Sequence, residues 1–318
     1  MPATTRPGQF SGFMPPHVLE RILSHGNARL QRCAQATLKA DAQFRLRNAA
    51  QPAARPADGK RGGEPARYIY TAAQQEILPG ERVRSEGDPE SGDVAVDEAY
   101  RWLGATYRFY WEVFSRDSID AQGMALLGTV HYGEDYDNAF WNGAQMVFGD
   151  GDGELFNRFT AALDVVAHEL THGVIEREAG LIYADQSGAL NESLADVFGV
   201  MVKQHHFEQA AEEADWLIGE GLLTERVNGR ALRSMANPGS AYDDPVLGKD
   251  PQPGHMDAFV NTASDNGGVH INSGIPNRAF YLAATRLGGF SWEAAGPVWL
   301  DRKSTRLNSS HMSESRMP

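Results

Sequence analysis

The chain has 318 residues, 42% of them hydrophobic, enough for one large domain or two ordinary ones with a buried core. A net charge of −13 argues against a nucleic-acid partner, and a single cysteine, Cys33, excludes an internal disulfide framework. No run reaches the eighteen or so apolar residues of a membrane span, and "MPATTRPGQFSGFMPP" lacks the apolar stretch of a signal peptide, so the expected location is cytoplasmic or outside by a signal-independent route.

Along the chain, "PPHVLERILSHGNARLQRCAQATLKADAQFRLRN" (15–48) reads as one or two short amphipathic helices, and "AAQPAARPADGKRGGEPAR" (49–67) as a flexible linker. Residues 1–67 carry 11 basic and 4 acidic side chains, a net of +7, against 18 and 38 in the rest, a net of −20. A basic leader of about 55 residues is thus expected to dock on an acidic body. From "YIYTA" to "GDGDGELF" short alternating segments such as "ALLGTVHYG" (125–133) predict a β-rich zone, interrupted by a helix over 96–114. "GDGDGE" (149–154) lacks the glycine at the sixth position of a calcium loop and reads as a turn into the helix that follows. Helical periodicity dominates from "NRFTAALDVVAHELTHGVIERE" onward, through 188–207 and 275–289.

"VVAHELTHGV" (165–174) places charged groups in an apolar stretch. On a helix His168 and His172, at i and i+4, present two imidazoles to one point while Glu169 reaches its edge, the arrangement of a zinc site with a base beside it. A catalytic zinc needs a third protein ligand, and "NESLADVFG" supplies Glu192, with Asp196 one turn on to accept the N–H of a ligating histidine. The alternatives are a pair of core histidines, a non-catalytic protein that retains zinc for structure, or a leader-bound inactive form acting as a binding module. Glu169 discriminates, because a structural site needs no base.

Together with "NAFWNGAQMVFGDGDG" (138–153), "GLIYADQSGALNESLADVFG" (180–199), "ALRSM" (231–235) and "DNGGVHINSGIPN" (265–277), these motifs resemble the thermolysin family of zinc metallopeptidases from about Tyr68 to Trp299. The leader, with "PPHVLERI" (15–22), resembles the protealysin branch and its short propeptide. The resemblance implies a two-lobed α+β zincin, β-rich N-terminal lobe and helical C-terminal lobe, that hydrolyses peptide bonds in peptides or proteins. It implies His270, oriented by Asp265, and Tyr183 as stabilisers of the oxyanion, and Asn191 beside Asp196 as a further outer partner of the ligands. Asn138, Ala139 and Arg233 would bind substrate backbone. Phe156, Phe159, Val165, Ile218 and Leu232 would form a primed-side pocket favouring bulky hydrophobic residues. Asp164, Asp215 and Glu220 fall where the family has a double calcium site, but Lys203 stands in place of a bridging glutamate and would compete with Ca2+.

The expected division is therefore leader 1–55, N-terminal lobe 56–175 and C-terminal lobe 176–300. The propeptide would block the cleft as an intramolecular inhibitor, with Cys33 either a buried small hydrophobe or a thiolate for the open zinc position. In "DRKSTRLNSSHMSESRMP" (301–318) the apolar periodicity stops, and Asp301 to His311 read back into codons resembles a sequencing-library adapter; this stretch is read as an artefact that packs against nothing.

Overall fold

The computed structural model describes residues 11–50 and 62–300, so most of the expected linker and the whole of 301–318 lie outside the described residues. Two helices form the leader. In α1 (Pro16–His25) the fixed φ of Pro16 suits the first turn, and Val18, Leu19 and Ile22 supply one buried stripe. In α2 (Ala28–Ala50) Leu30, Ala34 and Thr37 continue that stripe. This helix runs two residues into the segment read as linker, because Ala49 and Ala50 are good helix formers with no Gly or Pro until Pro52.

Preceding them, β1 (Ser11–Gly12) is the edge of a six-stranded sheet of order β1-β5-β6-β4-β2-β3. The other strands are β2 (Arg67–Thr71), β3 (Glu81–Ser85), β4 (Leu126–Val130), β5 (Ala139–Trp141) and β6 (Met146–Phe148). β2 and β6 flank β4 in parallel, and the remaining pairs are antiparallel. α3 (Val94–Phe114) packs against this sheet, its first turn capped by Asp93, whose carboxylate accepts from the N–H groups of Ala95 and Val96.

Two buried helices form the centre, α4 (Leu163–Glu178) and α5 (Asp185–His206). Their backbones approach so closely that a Cβ on Gly199 would lie 2.8 Å from the carbonyl oxygen of Asp164. That contact carries Glu192 and Asp196 up against the histidine face of α4. Beyond them lie two small ribbons, β7 (Leu217–Ile218) with β8 (Arg233–Ser234) and β9 (Asp243–Asp244) with β10 (Gly248–Lys249). The helices α6 (Asp265–Asn272), α7 (Gly274–Leu287) and α8 (Ala295–Leu300) follow. The fold is two-lobed α+β, with α4 between the sheet and the helical lobe. One apolar cluster runs from Phe13 and Val18 of the leader through Val165 and Val197 to Phe280, so the leader shares the core of the body.

Candidate active site

His168 and His172 leave α4 one turn apart and are 0% and 4% exposed; Glu192 of α5 is 1% exposed. Their ligating atoms lie within 4.8 Å of one another, the one group of three or more His, Cys, Asp or Glu that converges in this way among the described residues. Each histidine is oriented from behind. Nδ1 of His168 donates to Asp196 Oδ1 at 2.8 Å and Nδ1 of His172 to Asn191 Oδ1 at 2.9 Å. With the protons assigned to Nδ1, the two Nε2 lone pairs face each other at 2.9 Å, and Glu192 oxygens stand 3.4 Å from each. Facing lone pairs repel unless a cation lies between them. Two imidazole nitrogens and one carboxylate oxygen are the donor set of a catalytic zinc, so the residues present fit that ion.

Asp196 also takes two hydrogen bonds from Arg233, at 2.8 and 2.9 Å, and one from Asn277 at 2.9 Å. Burial pushes the Asp196 carboxyl up, but the Arg233 guanidinium and the His168 ring together hold it below its usual range. Glu169 is fully buried beside the cluster, and neither of its oxygens has a close hydrogen-bond partner among the described residues, the Trp141 backbone N–H lying near enough only to favour its charged form. Burial lifts its carboxyl to about 8, with Glu192 adding to the rise.

On the other side of Glu192, Tyr183 donates its hydroxyl to Glu192 Oε1, and His270 Nε2 lies 3.3 Å from that hydroxyl. Asp265 grips His270 twice, accepting its backbone N–H at 2.8 Å and its ring Nδ1–H at 2.7 Å. Both contacts are possible because Asn266, Gly267 and Gly268 adopt left-handed conformations and fold the start of α6 back on itself.

The cleft is filled by the leader. Ser11 and Gly12 pair antiparallel with Trp141 and Phe140, and the Phe13 N–H donates to the Ala139 carbonyl at 2.9 Å. The Met14 N–H donates to Asn138 Oδ1 at 2.8 Å. His270 Nε2 donates to the Gly12 carbonyl at 2.9 Å, and Arg233 Nη1 to the Phe13 carbonyl at 3.3 Å. Fully buried Phe13 lies edge-on to His168, ring centres 5.1 Å apart, with the Arg233 guanidinium 4.4 Å from its centroid. A Cβ on Gly219 would touch both the Phe13 ring and Leu232 at 3.5 Å. Phe156, Phe159, Val165 and Ile218 are buried in the same cluster.

Asp41 of α2 locks this seat, accepting from Tyr136 Oη and, at 3.0 Å, from Asn138 Nδ2. Gly12, Phe13, Met14, Asp41 and Asn277 were not singled out from the sequence. The apolar pair before Pro15-Pro16 in an otherwise polar opening is the one signal that marked any of them. Cys33 is no zinc partner here: its thiol donates to Asp135 Oδ2 at 3.5 Å, and burial raises it to about 12, far from a thiolate. At the three expected calcium carboxylates, Lys203 Nζ stands 2.9 Å from Asp215, 3.2 Å from Glu220 and 3.8 Å from Asp164.

Comparison with known proteins agrees with this geometry. Residues 31–176 match the family described as thermolysin metallopeptidase, catalytic domain, and 179–314 its alpha-helical domain. The chain is 60% identical over 288 residues to an extracellular metalloprotease of Pectobacterium carotovorum subsp. carotovorum, covering 91% of this chain and 82% of that one. It is 61% identical over 235 residues to protease PrtS of a Photorhabdus strain, 73% of this chain and 63% of the other. The structure superposes with a TM-score of 0.86 and 53% identity on the precursor of protealysin, a metalloproteinase from Serratia proteamaculans, covering 95% and 94% of the two chains.

Proposed function

The chain belongs to the thermolysin metallopeptidases, in the protealysin branch, and is a zinc-dependent metalloendopeptidase; on that premise we propose which of its residues hold the metal, move the proton and choose the substrate. The observation that carries the reading is the meeting of a bare buried carboxylate, Glu169, with the converging His168, His172 and Glu192 beneath a peptide carbonyl held by His270.

His168, His172 and Glu192 would hold the zinc, which would supply a water of lowered pKa and a positive charge for the scissile carbonyl. Glu169 takes that water's proton and returns it to the leaving amide nitrogen. His270 donates to the carbonyl oxygen as it gains charge, and Tyr183, whose hydroxyl donates to Glu192 here, turns to the same oxygen when Glu192 is engaged by the metal. Asp196, Asn191 and Asp265 are positioning residues, fixing the tautomers of His168, His172 and His270. Asn138, Ala139 and Arg233 bind substrate backbone, as they bind Met14 and Phe13 here.

The Phe13 seat supports cleavage before bulky hydrophobic residues: an apolar pocket closed by Leu232 and Gly219 rejects charge more strongly than it grades size. The leader is an intramolecular inhibitor that occupies both sides of the cleft. The Lys203 ammonium, raised by its acidic neighbours against the effect of burial, supplies the positive charge that Asp164, Asp215 and Glu220 require, so we assign them no calcium. The similarity to an extracellular protease supports a role outside the cell.

The test is to remove the leader by limited proteolysis and offer peptides with Phe, Leu or Asp after the cut bond. Cleavage before Phe and Leu, stopped by a zinc chelator and restored by zinc alone, is expected. Equal cleavage before Asp, or a requirement for added calcium, would contradict the reading.

A further inference from the structure

We propose that the Gly12–Phe13 bond of the leader is a self-cleavage site, cut within one molecule, and that this cut leaves the enzyme latent. The proposal rests on the catalytic roles given above. A segment that merely plugs a cleft can run in either direction and in any register. This one is held at four consecutive points: the Gly12 carbonyl by His270, the Phe13 N–H by Ala139, the Phe13 carbonyl by Arg233 and the Met14 N–H by Asn138. The group that donates to an oxyanion therefore already donates to the Gly12 oxygen, while the side chain that follows the bond fills the apolar pocket beside His168. That is the register of a substrate, with Gly12–Phe13 as the reacting peptide.

The reaction balances as plain hydrolysis. The water oxygen bonds to the Gly12 carbonyl carbon, Glu169 carries one water proton to the Phe13 nitrogen, and the C–N bond breaks to leave a Gly12 carboxylate and a Phe13 amine. Its products part unequally. On the N-terminal side of the cut, Ser11 and Gly12 are held by the two-residue pairing of β1 with β5. Phe13 and everything after it remain anchored by Met14, by the buried face of α1 and α2, and by Asp41 on Asn138 and Tyr136. A tethered product at high effective concentration blocks the pocket as the intact leader did.

The full chain is prepared with a chelator, zinc is added, and intact mass and N-terminal sequence are followed with casein hydrolysis. Loss of residues 1–12 with a new N-terminus at Phe13 is expected, at a first-order rate unchanged over 100-fold dilution and with no accompanying rise in casein hydrolysis. Phe13→Leu should be cut and Phe13→Asp should not. Independently of turnover, hydrogen exchange on zinc-loaded Glu169→Gln chain should show the Phe13 and Met14 amides protected, and Asn138→Ala should expose Met14. The proposal is overturned if the 12–13 bond stays intact while the same sample, stripped of its leader, hydrolyses casein. It is overturned equally by a cut elsewhere in residues 11–16, a rate proportional to concentration, or unprotected amides. A stripped sample inert to casein would instead sink the peptidase reading and this proposal with it.

Discussion

Between α4 and α5, Asp196 is buried against the Arg233 guanidinium, the His168 ring and the Asn277 amide, so its charge is compensated inside the fold. Where α2 meets the body, Asp41 is as deeply buried, but its two hydrogen-bond partners, Tyr136 and Asn138, are neutral. Burial therefore wins there and lifts the Asp41 carboxyl to about 6, whereas Arg233 keeps Asp196 below the usual range. A compensated charge suits a part that must hold one geometry throughout the life of the enzyme. One whose hydrogen-bond partners are neutral, with the Arg45 charge too weak to overcome burial, suits a seat that is to be vacated.

Of the changes to these two carboxylates, the larger expected effect breaks the compensated side. Asp196→Ala strips His168 of its orienting acceptor and leaves the Arg233 guanidinium buried without its carboxylate, so zinc affinity should fall about 10–100-fold. Competition with a chromophoric chelator reads this directly, and unchanged affinity would mean that the network is only packing.

The next sharpens the contrast through pH. The docked Asp41 carboxyl sits at about 6 against 3.8 for a free one, so docking takes up a proton. Through Asp41 alone, leader binding is strongest below about pH 4 and is progressively lost as the pH rises through 6, whereas leader His17, lowered by burial to about 4, gives binding that strengthens as the pH rises toward its free value of 6.5. The Asp41 part is therefore read as a ratio: between pH 5 and 7.5 the dissociation constant of a separate leader peptide for leader-free Glu169→Gln enzyme, divided by that of the Asp41→Asn peptide, should rise about tenfold. A ratio that stays constant with pH would place the titration elsewhere.

A smaller loss follows from Lys203→Met. It leaves Asp164, 2% exposed, without its cation, and should lower the melting temperature by roughly 5 °C, partly restored by added calcium. Cys33→Ser should leave latency unchanged, since its thiol reaches Asp135 and not His168, His172 or Glu192.

The same contrast decides what could be read from sequence. His168, His172, Glu192 and Asp196 sit at helical spacings, where i and i+4 fix a common face before any tertiary contact is known. Tyr183 and His270 carry no such periodicity and became legible only through the motifs around them. The leader's grip was not legible at all. A two-residue strand pairing Ser11 with Trp141 leaves no pattern, and nothing local to Asp41 says that Asn138 will be its partner. The basic-to-acidic asymmetry predicted docking. Among the described contacts the charged pairs, such as Arg29 with Asp135, lie at the rim, while Phe13, Val18 and Ile22 supply the buried contact.

The most direct measurement of the central claim is made on leader-free Glu169→Gln enzyme, assayed side by side for zinc content and casein hydrolysis. The carboxylate is bare, buried and separate from the three ligands, so the variant should keep one zinc per chain and lose at least about 10²–10⁴-fold in rate. Full activity, or loss of the zinc along with the activity, would contradict the assignment of Glu169 as the proton carrier.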